Sequence, residues 1–445
     1  MYNVRNKGMN ILVIGQCTLH WGRMEFGNIG NYYIMEPFFR ELHRVFPSAK
    51  IMTTFQMSDR FCYNEDVVCL PMNLYYAWEK EDLDKAYKEM AIATIYFETN
   101  NLIEKTPFIE AVLDSDLVID FSGDIWGRNA DLVGPNRFLV GLLKDRVVQL
   151  LGKPIVMMAG SPGPFNRDET LDFAHKVFAN FTFVTNREKK SREILQDFGF
   201  DVSNVKDFAC PAFMFEPSLQ KDVLHFIENT PLQSKGKPTI GFVLCGWNML
   251  EGPFSREDWR EEEFDVYVKA LVNFIEKNDV NVCLMSHSNG FDLPPQFKLK
   301  QGRDFVVVKK LYDILQKTDV SKSVFLLDGL YSPAETKAII SNFDMLISGR
   351  VHAAVAGLSQ NIPTVIIDYG HEPKAHKLIG FADIAGVCEY VANPASLTDL
   401  EDKMERCWNN RVFLQHFLLE RNIIIKEKIK EQFDLLKEIF EIKDK

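Results

Sequence analysis

Short, almost wholly apolar runs recur along this chain, separated by longer stretches with helical spacing. That alternation restricts the fold more than any other feature. In the first half the runs are Asn10-Ile-Leu-Val-Ile-Gly15, Lys50-Ile-Met-Thr-Thr54, Leu117-Val-Ile-Asp-Phe121, Pro154-Ile-Val-Met-Met-Ala159 and Phe181-Thr-Phe-Val184. Segments of helical periodicity, such as Tyr32 to Val45, Phe138 to Leu151 and Lys190 to Phe198, lie between them. Strands apolar on both faces and alternating with helices predict a parallel sheet covered on both sides.

The pattern then repeats. Leu219 to Pro238 is polar and ends in a Pro- and Gly-containing stretch, as linkers do. Thr239-Ile-Gly-Phe-Val-Leu244, Val282-Cys-Leu-Met285, Val324-Phe-Leu-Leu327, Met345-Leu-Ile347 and Thr364-Val-Ile-Ile367 form a second set of strands. With 445 residues the chain exceeds a single ordinary core. The expectation is an α/β protein of two Rossmann-like domains facing a cleft, residues 1–218 and 239–400, joined by a linker at 219–238 and braced by C-terminal helices over 401–445.

A net charge of −11 disfavours a nucleic-acid partner, which needs a dense basic surface. No apolar run reaches the roughly eighteen residues of a membrane span. Eight cysteines without a C-x-x-C pair read as reduced thiols, several of them inside apolar runs, and make a zinc site unexpected. With no apolar core of signal-peptide length in Met1 to Lys7, the chain is expected in the cytoplasm. Lysines 426, 428, 430 and 437 raise peripheral contact with the inner membrane face, but interspersed acids largely cancel them, so a helix packed on the body is favoured.

Candidate chemistry gathers where strands end. Ser348-Gly-Arg-Val-His352 sets a permanent cation, Arg350, and a titratable imidazole, His352, at a strand-to-helix junction, where open α/β sheets bind ligands and helix N-termini attract anions. Gly27-Asn-Ile-Gly-Asn31 is either a tight βα turn or a backbone cradle, and its spacing is not a dinucleotide fingerprint. Asp120, Ser122 and Asp124 end one strand, either to hold sugar hydroxyls or act as base, or to cap the next segment. Ser161 lies in the rigid Gly160-Ser-Pro-Gly-Pro164 loop, and Arg187 comes after the Phe181 to Val184 run. Arg187 reads as a surface ion-pair partner or, with Arg350, His352 and Lys374, as part of an anion pocket. His287 comes after a strand as a further cleft-lining candidate; His371 and His376 flank Lys374 without metal-site spacing.

In order, Gly27-Asn-Ile-Gly, Asp120 with Gly123, Gly160-Ser-Pro-Gly-Pro164, Arg187-x-x-x-Ser191, Pro211-Ala-Phe213, Arg350-x-His352 and the Pro363 to Lys374 stretch resemble the polysaccharide pyruvyl transferase family. The resemblance implies a GT-B-like fold. It implies transfer of a carboxyethylidene group from phosphoenolpyruvate to two hydroxyls of a sugar, lipid-linked or nucleotide-linked, in surface polysaccharide synthesis. It also implies His352 as the catalytic histidine and Arg187 and Lys374 as donor-holding cations, joined here by Arg350, with no metal and no cofactor. Asn28, Gly30, Asn31, Asp120, Ser122, Asp124, Ser161 and His287 are then the cleft or acceptor-side candidates. Two departures stand out: Asn31 replaces the family's usual Asp, and Ser122-Gly-Asp-Ile-Trp126 replaces a run of glycines. The alternatives are a GT-B glycosyltransferase using a nucleotide sugar and a non-catalytic metabolite-binding relative.

Overall fold

A computed structural model describes residues 8–228, 230–233, 236–251, 253, 255–369 and 375–441. The chain divides into two units. The first comprises residues up to Met24, Phe38–Cys210 and Lys428 onward, and the second Glu25–Pro37 and Pro211–Glu427.

The first unit is built on a seven-stranded sheet. Its strands are β1 (Asn10–Ile14), β2 (Lys50–Thr53), β3 (Val67–Cys69), β4 (Leu117–Asp120), β5 (Ile155–Gly160), β6 (Phe183–Asn186) and β7 (Val205–Asp207). The order is β3-β2-β1-β4-β5-β6-β7 and every pairing is parallel. Every residue of β4 and β5 is buried, which is why these strands read as unbroken apolar runs. The edges β3 and β7 are short and only part-buried, so their sequences carry no such run. Much of the chain's Phe content packs here: Phe138, Phe165, Phe178, Phe181 and Phe200 surround the fully buried Trp126 ring, mostly edge-on.

The second unit repeats the design with six strands: β8 (Thr239–Val243), β9 (Asn281–Met285), β12 (Val324–Leu327), β13 (Met345–Ser348), β14 (Thr364–Ile367) and β15 (Val391–Ala392). A hairpin, β10 (Asn289–Asp292) with β11 (Lys298–Gln301), is inserted after β9. The sheet runs β12-β9-β8-β13-β14-β15, again all parallel. In both sheets the chain starts centrally, moves outward, and returns to the other side of its first strand. That reversal falls between β1 and β4 in one sheet and between β8 and β13 in the other, the switch points where doubly wound sheets bind ligands.

Two details depart from the sequence reading. The segment 219–238 carries a helix, Gln220–Ile227, within the second unit, and the division falls earlier, after Cys210. The helix Ile29–Val45 contains Pro37, and its residues up to Pro37 group with the second unit although they lie early in the chain. The C-terminal helices are Leu397–Asn409 and Arg411–Glu441. No helix among the described residues is long and apolar enough to cross a membrane.

Candidate functional site

In the first unit the strand ends bring Arg187, Ser161 and Asp124 together. Arg187 comes directly after β6, and its backbone N–H donates to the Gly160 carbonyl at 2.9 Å, which fixes it beside the loop after β5. Its side chain is 2% exposed; Nε donates to Ser161 Oγ at 2.8 Å and Nη2 lies 3.8 Å from Asp124 Oδ1. Asp124 retains 26% exposure. The guanidinium is thus buried, aimed by a hydroxyl, and has its charge partly met by a part-exposed carboxylate of its own unit.

Asp120 and Ser122 behave differently. Ser122 Oγ accepts from the Gln16 backbone N–H at 2.9 Å, tying the turn after β1 to that after β4. The Asp120 carboxyl is fully buried, with Ser122 and Asp145 as its polar neighbours, and burial pushes it up to about 7. Asp145, from the helix Arg137–Leu150, is pushed well above the carboxylate range by burial and by the Asp120 charge, while Trp126 Nε1 donates to its Oδ2 at 3.3 Å. Two carboxyls in one apolar site each disfavour the ionisation of the other. Sequence inspection did not single out Asp145, because one acid in the Lys144-Asp-Arg146 run of an amphipathic helix looks like a solvated face. It likewise missed Arg137, fully buried against the Tyr76 and Trp78 rings (4.6 and 4.5 Å) and donating to the carbonyls of Gln16 and Thr18. Cys17, in the same turn, is pushed up to about 12 by burial and then by Asp124, so it is a poor nucleophile.

In the second unit Arg350 and His352 stand at the carboxyl end of β13, at the switch point. Arg350 precedes the helix Val351–Leu358, and His352 is that helix's second residue. Gly349 is required here: a Cβ on it would meet Asn248 Oδ1 at 2.0 Å. Asn248 in turn donates to the carbonyls of Gly349, Ile367 and Asp368 (3.1, 3.3 and 3.2 Å), stitching together the ends of β13 and β14. Arg350 grips Asp304 with two bonds, Nε to Oδ2 at 2.8 Å and Nη2 to Oδ1. Burial alone would weaken its hold on the proton, but Asp304 reverses this and the guanidinium stays charged. Asp304 is 2% exposed and Arg350 22%.

His287, just after β9, is buried, and burial together with the Arg350 charge lowers it to about 3, so the ring is neutral. Tyr33 meets its ring edge-on at 5.5 Å. Asn28 Oδ1 accepts from the Gly30 N–H at 3.1 Å and so starts the helix that carries Tyr33. Asn31 is part of that helix, and Gly30 packs directly on the His352 side chain. Asn28, Gly30 and Asn31, expected within the first domain, therefore belong to the unit that holds His352. A further buried cation, Lys337, donates to the Phe215 carbonyl at 2.5 Å and is lowered to about 7 by burial. Lys374 and His371 lie outside the described residues. Among the described residues no group of three or more His, Cys, Asp or Glu is arranged to hold a metal ion.

Comparison with known proteins places this arrangement. The polysaccharide pyruvyl transferase family matches residues 28–371, which takes in the Gly27–Asn31 turn from Asn28, Arg187, Arg350 and His352. The chain belongs to that family. It is a transferase of GT-B-like fold. The amylovoran biosynthesis protein AmsJ of Erwinia amylovora is 22% identical over 405 residues, covering 88% of this chain and 89% of that protein. Among solved structures, a glycosyltransferase of Rickettsia africae matches with a TM-score of 0.55 at 12% identity, covering 97% of this chain and 99% of its own. HepE of Anabaena in complex with UDP matches with a TM-score of 0.56 at 12% identity, covering 97% and 100%. At such identities these likenesses concern the fold alone. For this pyruvyl transferase family member, the family match thus spans both the unit carrying Arg187 and the unit carrying His352.

Proposed function

We propose that this protein moves a carboxyethylidene group from phosphoenolpyruvate to two hydroxyls of a saccharide during polysaccharide synthesis, acting in the cytoplasm on a lipid-linked or nucleotide-linked acceptor. The observation that carries the reading is His352 beside Arg350 at the β8/β13 switch point, inside the stretch matched by the family. Family membership and the relation to a polysaccharide biosynthesis protein support it.

The donor brings a carboxylate and a phosphate, so it needs several cations and a dry pocket. Arg187, aimed by Ser161 and near Asp124, suits a bidentate grip on one of these groups. In the second unit the reading assigns Lys374 and Arg350 as further donor-holding cations, Arg350 held in place by Asp304. In the reaction both acceptor oxygens bond to the central carbon and its bond to the phosphate oxygen breaks. Of the two hydroxyl protons released, the balance leaves one on the new methyl group and one with phosphate. His352 is the residue that moves a proton, since imidazole exchanges protons near neutral pH. Phosphate is the leaving group and the enol is its own activated form, so the scheme uses no cofactor. Asp120, fully buried, shapes the first unit's strand ends rather than meeting the acceptor, whereas Asp124 keeps 26% exposure and is the part-exposed acid of those strand ends.

The test is thermal stability against phosphoenolpyruvate, with UDP-sugars in parallel, for wild type and Arg187→Ala. A ligand of the native state stabilises it by about 2.7 kcal/mol at a hundredfold excess over its Kd. A saturating shift with phosphoenolpyruvate that Arg187→Ala abolishes is expected, with phosphate release once an acceptor is supplied. A shift with a nucleotide sugar alone would overturn the reading in favour of a glycosyltransferase. Phosphoenolpyruvate binding without phosphate release across an acceptor screen would favour a metabolite-binding relative.

A further inference from the structure

We propose that the first turn of the helix Ile29–Val45 is a seat for the His352 imidazole, and that Gly30 is a positioning residue for the reaction. The inference rests on the reading of His352 as the proton-moving group. In sequence the Gly-rich turn looks like a backbone cradle for a ligand, yet Gly30 faces a side chain of its own unit. A Cβ at Gly30 would lie 2.4 Å from His352 Nδ1, 2.5 Å from its Cβ and 2.7 Å from its Cγ. Such distances are far inside van der Waals contact, so no other residue type fits while the ring stays where it is. The backbone gives no separate reason for glycine, because Gly30 sits in the helix and is not among the glycines with left-handed φ.

The seat has further parts. Asn28 Oδ1 accepts from the Gly30 N–H at 3.1 Å and fixes the start of the turn. Phe381 meets the imidazole edge-on, with centroids 5.9 Å apart and planes at 81°. One turn along, Tyr33 shares a face with Gly30 by its i+3 spacing and meets His287 edge-on at 5.5 Å. One helix face therefore touches two imidazoles, delivered by β13 and β9, the strands that flank β8. His287 is neutral and buried, so it gives this face a fixed wall instead of a second titrating group. The Arg350 charge acts on that wall, and Arg350 is itself bonded to Asp304. With Gly30 under it and Phe381 against it, the His352 ring has few places to go, and placement to within about 1 Å is what a proton-transfer group requires.

The test is a set of variants in the full chain. Gly30→Ala is expected to lower kcat by about a hundredfold while the KM for phosphoenolpyruvate stays within about threefold. It should also lower the melting temperature, and the same substitution made in a His352→Ala background should lower it far less, since the clashing ring is gone. Phe381→Ala removes a buried ring and is itself destabilising, but it gives the imidazole room to swing aside; within that background Gly30→Ala should cost less melting temperature than in wild type and still lower kcat. A purely structural glycine would show the smaller melting loss together with unchanged kcat. Wild-type kcat in Gly30→Ala, or equal melting losses in both backgrounds, overturns the proposal. Should wild type show no turnover with phosphoenolpyruvate, the functional reading fails by itself. The seat is then decided by the melting cycle and by the His352 ring carbon-13 signal, which Gly30→Ala must shift.

Discussion

The two sheets share a winding order but carry opposite chemistry at their switch points. In the first unit the last residue of β4, Asp120, lies against Asp145 in a fully buried acid pair, while the cation, Arg187, waits two strands away after β6. In the second unit the cation, Arg350, sits at the switch point itself with its charge met by the buried carboxylate Asp304, and His352 lies two residues on. One scaffold thus solves the burial of charge in two ways: by keeping like groups protonated, and by pairing unlike ones. The first solution depends on pH, whereas the second depends on both partners being present.

The largest way to break the comparison is His352→Ala. It should cost on the order of 10² to 10⁴ in turnover while leaving the thermal shift with phosphoenolpyruvate in place, because proton transfer is lost and donor binding is not. A sensor protein would show no such loss, and retained phosphate release would remove His352 from the reaction.

Next is the ion pair of the second unit. Asp304→Ala leaves the Arg350 guanidinium part-buried without its carboxylate, and the loss should be about 3 kcal/mol in urea denaturation. The pair-removing variant with Arg350→Leu should recover part of that stability. An unchanged denaturation midpoint for Asp304→Ala would mean that the guanidinium finds its compensation elsewhere.

The acid pair gives a subtler signature. Asp120 is held at about 7 in the folded chain against 3.8 for the free group, so the native state binds more protons than the unfolded state between those values. This stabilising contribution is complete below about pH 4 and fades as pH rises through about 7. Hydrogen exchange of β4 should accordingly quicken as pH rises from about 4 through 7 once corrected for intrinsic exchange, and Asp120→Asn, which removes the titrating group, should flatten that dependence. In the second unit the sign is reversed: His287 is held at about 3 against 6.5 for the free ring, so there the unfolded state binds more protons. Exchange of β13, corrected in the same way, should slow as pH rises toward about 6.5, while Arg350 stays charged throughout. Parallel slopes in both strands would break the contrast.

The smallest effect concerns the support of Arg187. Ser161→Ala removes one hydrogen bond to a charged group and should cost about 1.5 kcal/mol, with a modest rise in the KM for phosphoenolpyruvate. A KM equal to that of wild type would place the donor away from this loop.

Much of the fold was legible because its strands are buried on both faces. β12 and β14 were readable residue for residue, and β1, β4 and β8 to within a residue at each end. The edge strands β3 and β7 were not, because an edge strand needs only one apolar face: Val67 is buried while Val68 is 45% exposed. Helix Gln220–Ile227 was hidden in a stretch whose polar composition resembles a linker. At the site, the residue types and their strand-end positions were visible in Arg350, His352 and Arg187. Their partners were not: Asp304 is 46 positions from Arg350, and Ser161 is 26 from Arg187.

The sequence by itself determined the two parallel sheets, the alternation that winds them, and which strand ends carry cations and imidazole. These come from periodicity, a local property set by which faces of each strand and helix leave water. Only the tertiary structure decided that Gly30 lies under His352, that Asp145 is buried beside Asp120, and that Asp304 holds Arg350. Those pairings arise because burying a charge or a ring demands a specific neighbour, and the neighbour that meets the demand is chosen by the packing of distant elements.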